Sequence, residues 1–156
     1  LHLLSRRQRQ MCIRDRDVRL LDLTAEPDPN GKLYRCAERV YELWQQSANE
    51  KGAQVIFSDI GVPNGDKSFN VYQFIKDELI KKGVPGSEIC FVHDAKNDKD
   101  REDMFQDVRN GVKRIIFGST EKLGTGTNIQ KRLFALHEID MPKNRRMGLR
   151  TDYVCM

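Results

Sequence analysis

The sequence predicts an α/β fold in which helices cover both faces of a parallel sheet. Four short apolar runs have the length of buried strands, stretches with helical periodicity separate them, and Gly, Pro, Asn and Asp mark the joins. Strict alternation favours parallel strands, because each return to the same end of a sheet needs a crossover and a helix is the compact one.

The elements follow in order. Asp28-Pro29-Asn30-Gly31 is turn chemistry, and a helix is expected from about Lys32, with Leu33, Cys36, Ala37, Val40, Leu43 and Trp44 on one face. Lys51-Gly52 should end it. Residues 53–58 (AQVIFS) read as the first strand, and the Gly-, Pro- and Asn-rich stretch 59–68 as a loop. A second helix spans 69–82, turning Val71, Phe74, Ile75, Leu79 and Ile80 inward, and Gly83 closes it. Residues 88–93 (EICFVH) form the second strand. After a polar loop at 94–99, a third helix is capped by Asp98 or Asp100, buries Met104, Phe105 and Val108, and stops at Asn110-Gly111. Residues 113–118 (KRIIFG) form the third strand, 119–130 a loop and a short helix, and 133–139 (LFALHEI) the fourth strand.

In such sheets ligands collect beyond the carboxyl ends of the strands. That rule alone puts Ser58-Asp59, His93-Asp94 and Ser119-Thr120 along one edge.

Charge narrows the choice of partners less than the total suggests. The net charge is +4, but residues 1–16 supply five Arg and one Asp, and residues 17–142 hold 18 basic and 21 acidic side chains. A second basic group, Lys143, Arg145, Arg146 and Arg150, lies at the far end. Any nucleic-acid contact by the central part must therefore be local. No apolar run approaches the roughly 20 residues of a membrane span. The four cysteines (Cys12, Cys36, Cys90, Cys155) have no metal-ligand spacing and read as free thiols of a reducing cytoplasm. His93 has no second His close in sequence, and Cys90 alone completes no ligand set, so neither a metal site nor a catalytic group is assigned. The stretch from Arg6 to Arg16 resembles translated adapter read-through, and the pattern is lost again after residue 142. Residues 1–16 are expected to be a non-native tail, 17–31 a linker, 32–142 the folded domain, and 143–156 a truncated or scrambled tail.

The most informative stretch is 118–130, GSTEKLGTGTNIQ. Glycines let a backbone approach a ligand, helix-start N–H groups attract anions, and Ser and Thr hydroxyls bond phosphate oxygens. It lacks the order of a Walker A loop. Taken with QVIFSDIG and ICFVHDAKND before it, and KRLFALHEID after it, this stretch resembles the carboxy-terminal lobe of superfamily 2 helicases. The resemblance is greatest to Swi/Snf-like helicases associated with DNA methylase domains in phages and conjugative elements, and it covers roughly residues 30–142.

The resemblance implies a three-layer RecA-like lobe of the P-loop NTPase class. It implies that Ser58, Asp59, His93, Asp94, Ser119, Thr120 and Lys122 lie at the nucleic-acid backbone. Gly126, Thr127 and Asn128 would form the nucleotide side, Gly126 at the lobe interface and Asn128 toward the ATP ribose. Implied partners are DNA, an amino-terminal RecA-like lobe and a fused DNA methyltransferase domain. ATP and Mg²⁺ would be cofactors of the whole protein, with none expected for this chain alone. The family's arginine-bearing motif should follow Asp140-Met141-Pro142, but Lys143-Asn144-Arg145-Arg146-Met147-Gly148 does not continue it, so no finger role passes to Arg145 or Arg146. ATP hydrolysis needs a phosphate cradle with a Lys, an acid-held Mg²⁺ and an arginine finger, and isolated turnover is not expected. Two rival readings are a stand-alone nucleic-acid or nucleotide-binding Rossmann-like module and a small α/β enzyme using Asp59 or His93.

Overall fold

The structure, a computed structural model, describes residues 28–59, 70–124 and 129–139. Four strands, β1 (Ala53–Phe57), β2 (Ile89–Phe91), β3 (Ile115–Gly118) and β4 (Leu133–Glu138), form one sheet in the order β2-β3-β1-β4. Every neighbouring pair is parallel. Helices α1 (Lys32–Gln46) and α2 (Val71–Lys81) cover one face, while α3 (Asp98–Asn110) and the single turn α4 (Thr120–Gly124) cover the other. This is the three-layer α/β arrangement expected of a RecA-like lobe. The expected tails, most of the linker, and Gly126, Thr127 and Asn128 lie outside the described residues.

Alternation along β1 builds the two cores. Ile56 joins Leu33, Ala37, Val40, Tyr72, Ile75 and Leu79 beneath the first pair of helices. Ala53 and Val55 point the other way, to Phe105, Val108, Ile116 and Leu123. A strand apolar on both faces is what burial between two helical layers requires. Each fully buried aliphatic side chain contributes about 1.5–3 kcal/mol.

The connections obey one hand. The path from β1 to β2 runs across the first face through α2, toward one edge of the sheet. The paths from β2 to β3 and from β3 to β4 run back across the second face through α3 and α4. The helices that follow β1 and β3 therefore diverge to opposite faces, although these strands are neighbours. A crevice is expected at such a switch point, beyond the strands' carboxyl ends.

Several boundaries differ from the sequence expectation. Helix α1 ends at Gln46, because Ser47 turns its hydroxyl back onto the Leu43 carbonyl at 2.6 Å, and Lys51 takes a left-handed φ of 51° in the turn that follows. Asn97, not Asp98 or Asp100, caps α3: its Oδ1 accepts the Asp100 N–H at 2.7 Å, and Asp100 in return accepts the Lys96 N–H. This reciprocal bonding resembles a capping box. Gly111 closes α3 in the left-handed region at φ 76°, with the paired carbonyl bonds of a Schellman ending. On α2, Ile80 is 44% exposed rather than inward, and Phe74 is only half-buried, packed edge-on against Tyr34. Ile80 lies a quarter-turn past Leu79, and the inward position belongs to Tyr72, which is fully buried.

Two polar clusters are built into the layers. Gln54 of β1 donates through Nε2 to the Val40 carbonyl at 2.9 Å, and its Oε1 faces His137 Nε2 of β4 at 2.8 Å. At the amino ends of the strands, buried Arg114 donates to the Trp44 carbonyl at 2.6 Å, to Ser47 Oγ at 3.1 Å and to the Gly52 carbonyl at 3.4 Å. Its guanidinium also lies 5.0 Å from the Trp44 ring centre and 3.7 Å from Glu88 Oε2.

Candidate nucleic-acid interface

Because the strands are parallel, the residues that follow β1, β2 and β3 emerge at one end of the sheet. After β1 comes Ser58, whose N–H donates to the Gly118 carbonyl at 3.3 Å and whose own carbonyl accepts the Tyr72 hydroxyl at 2.6 Å. Ser58 is fully buried, so it presents no surface to a polymer, against the backbone contact expected of it. Asp59 is half-buried beside it.

After β2 the chain tightens into a 3-10 turn, Val92–Asp94. Val92 anchors the turn in the second core, His93 is half-buried, and Asp94 is exposed. The His93 ring lies 5.5 Å from Tyr72, and its Nδ1 is buried with no hydrogen-bond partner among the described residues. Burial first, and the neighbouring Lys122 cation second, hold the imidazole below its ordinary value of 6.5; Asp94 opposes them. The same influence places Lys122 electrostatically at the β2 turn, although it belongs to the β3 loop.

After β3, Ser119 leads directly into α4. Its Oγ accepts the Lys122 N–H at 3.3 Å and its carbonyl accepts the Leu123 N–H at 3.0 Å. Ser119 is thus the amino-terminal cap of this short turn, which still leaves its hydroxyl hydrogen available to an acceptor. Lys122 is exposed, and Thr120 is the first residue of α4. Leu123 folds back onto the strand so closely that a Cβ at Gly118 would meet its Cδ1 at 2.5 Å and its Cγ at 2.6 Å. The Gly118→Ala variant is therefore expected to lose about 1–3 kcal/mol by overpacking and to lift α4 from the sheet. A thermal melt with limited proteolysis between residues 118 and 130 measures this; an unchanged melt and cleavage pattern would count against the close seat of Leu123.

Tyr72 joins these tips. Its ring packs on Phe91 of β2, His93 and Phe117 of β3, while its hydroxyl holds Ser58 after β1. Sequence reading missed this residue, since a Tyr at a helix start looks like a surface residue. The one usable signal was its place three residues before inward-facing Ile75.

The structure brings Ser58, Asp59, His93, Asp94, Ser119 and Lys122 to one edge, with Thr120 on the same turn. Gly126, Thr127 and Asn128 lie outside the described residues. Among the described residues no group of three His, Cys, Asp or Glu side chains could hold a metal ion, and no helix is long and apolar enough to cross a membrane. A cleft of about 210 Å³ lies at the opposite end of the sheet, between Glu50, Gly52, Arg132 and Phe134. There Arg132 is committed to the Arg109 and Glu50 carbonyls, so the cleft reads as loop packing. No protein-family model matches the chain, and no curated protein matches its sequence.

Proposed function

We propose that this chain is the carboxy-terminal RecA-like lobe of a superfamily 2 helicase or translocase, and that its carboxyl edge holds the backbone of a DNA strand. One observation carries the reading. The turn that begins at Ser119, with a hydroxyl and a lysine, opens at the β1–β3 switch point beside the His93-Asp94 turn. A backbone-tracking surface needs hydroxyl and cationic groups without base-reading side chains, and this edge offers Ser119 and Lys122, with Thr120 next in the same turn. Asp59 and Asp94 keep the edge from being uniformly basic, so binding by this lobe alone is weak.

In the whole protein a second RecA-like lobe, and a fused DNA methyltransferase domain, would complete the machine. By the resemblance, Gly126, Thr127 and Asn128 would form the nucleotide side, Gly126 at the lobe boundary and Asn128 toward the ATP ribose, with ATP and Mg²⁺ as cofactors of the whole protein. The described residues offer no phosphate cradle with a lysine and no acidic metal group, so no step of hydrolysis is assigned to them.

The test is fluorescence anisotropy of a labelled oligonucleotide titrated with the chain across a salt series. Sequence-indifferent binding that weakens with salt is expected. Lys122→Ala should reduce the log–log salt slope by about one and weaken all sequences alike. An unchanged slope and affinity in that variant would remove the assigned edge from consideration.

A further inference from the structure

We propose that His93 couples proton uptake to the binding of polynucleotide phosphates at the carboxyl edge, an inference that rests on reading that edge as a nucleic-acid surface. The geometry supplies the argument. His93 is held between three elements. From α2 come Tyr72, against the ring, and Lys76, which sits 5.1 Å over the adjacent Phe91 ring. From α4 comes Lys122, and from its own turn Asp94. From β3, the element packed next to the turn contributes the uncharged Phe117, which meets Tyr72. Nδ1 has no hydrogen-bond partner among the described residues. Protonating the ring therefore breaks no bond at that nitrogen, but it gains none either, and it adds a second cation beside Lys122.

In the free protein these features favour the neutral ring: burial first and Lys122 second lower its affinity for a proton, and Asp94 opposes them. A phosphate drawn to Lys122 and Ser119 changes the balance. Its negative charge offsets the lysine and favours the imidazolium. Linkage then runs both ways: bound DNA raises the proton affinity of His93, and a lower pH tightens DNA. His93 thus acts as a conditional second cation of the edge, beside Lys122, present when the strand is present.

Anisotropy titrations at constant ionic strength, between about pH 8 and about pH 5.5, test this across the range where histidine changes charge. Wild type should bind more tightly as pH falls, by up to about tenfold if binding raises the His93 pKa by about one unit. The His93→Gln variant should bind with no such rise. Acid weakening of the fold affects both proteins, so their difference isolates His93. A proton NMR titration of the wild type with and without oligonucleotide gives the result without any variant: the His93 pKa should move upward on binding. Binding that ignores pH, a slope that survives in His93→Gln, or an unmoved His93 resonance would each overturn the inference while leaving the DNA surface intact. Failure to bind at any pH would overturn the surface itself, and the inference with it.

Discussion

Arg114→Ala should lower the urea midpoint of unfolding by roughly 2 M, from a loss of about 3 kcal/mol at a slope near 1.5 kcal/mol per molar. Arg114 is 5% exposed. Its guanidinium satisfies the Trp44 and Gly52 carbonyls and the Ser47 hydroxyl, and it stands near Glu88 and over Trp44. These groups come from the end of α1, the approach to β1 and the approach to β2, so one side chain ties three segments to the start of β3. Alanine would leave carbonyls without donors, a carboxylate without its cation, and a cavity beside the indole. Burial lowers the arginine's pKa and Glu88 opposes this, but the group stays charged at any ordinary pH. Glu88→Gln is the companion measurement. It keeps an oxygen for the Trp44 Nε1–H, now bonded at 2.7 Å, and removes only a charge 3.7 Å from Arg114 on a partly exposed side chain, so it should cost under about 1 kcal/mol. Equal losses in the two variants would mean that the ion pair, rather than the backbone acceptors, is the main contribution.

Acid should weaken the fold through His137. This ring is 1% exposed and faces Gln54 Oε1 at 2.8 Å, so Nε2 carries the proton of a neutral ring. Burial, with a smaller push from the Arg39 cation, lowers its pKa from 6.5 to about 4. The unfolded chain therefore binds a proton at a higher pH than the folded one. Stability from this group is complete above about pH 6.5 and is lost progressively as pH falls toward about 4, where the folded form also titrates. A gap of about 2.5 pH units, at about 1.36 kcal/mol each, sets the full loss near 3 kcal/mol. Urea midpoints of wild type across that window should fall more steeply than those of His137→Gln, whose amide can still donate to Gln54 without titrating. Parallel pH profiles for the two proteins would sink this account.

The layers were readable from sequence because each depends on a periodicity. The run AQVIF and the inward faces of α1 and α3 are local patterns, and β1, α1 and α3 lie close to where those patterns place them. Parallel pairing was readable too, since alternation of helix and strand leaves little else. What the chain did not disclose depends on long-range contact. Gln54 and Arg114 are polar residues in or beside strand-like runs, and only the positions of Val40, His137, Trp44 and Ser47 explain them. Asn97 lost its capping role to Asp98 and Asp100 in the sequence reading because three residues within one turn can all cap, and only backbone direction selects one. At the candidate edge, the residues were legible from their places after strands. Their inward or outward disposition was not: Ser58 and Lys122 look alike as polar loop residues, yet one is sealed and the other open.

The position of Trp44 has a practical consequence. It is the sole tryptophan of the sequence, and it is fixed by Arg114 and Glu88 at the amino-terminal pole of the sheet. Its emission is a built-in gauge of whether the body of the domain is intact. Strand capture takes place at the far pole, and a label carried by the oligonucleotide would register it separately. One sample can then yield two optical signals, so a variant that has lost its grip can be told from one that has lost its shape.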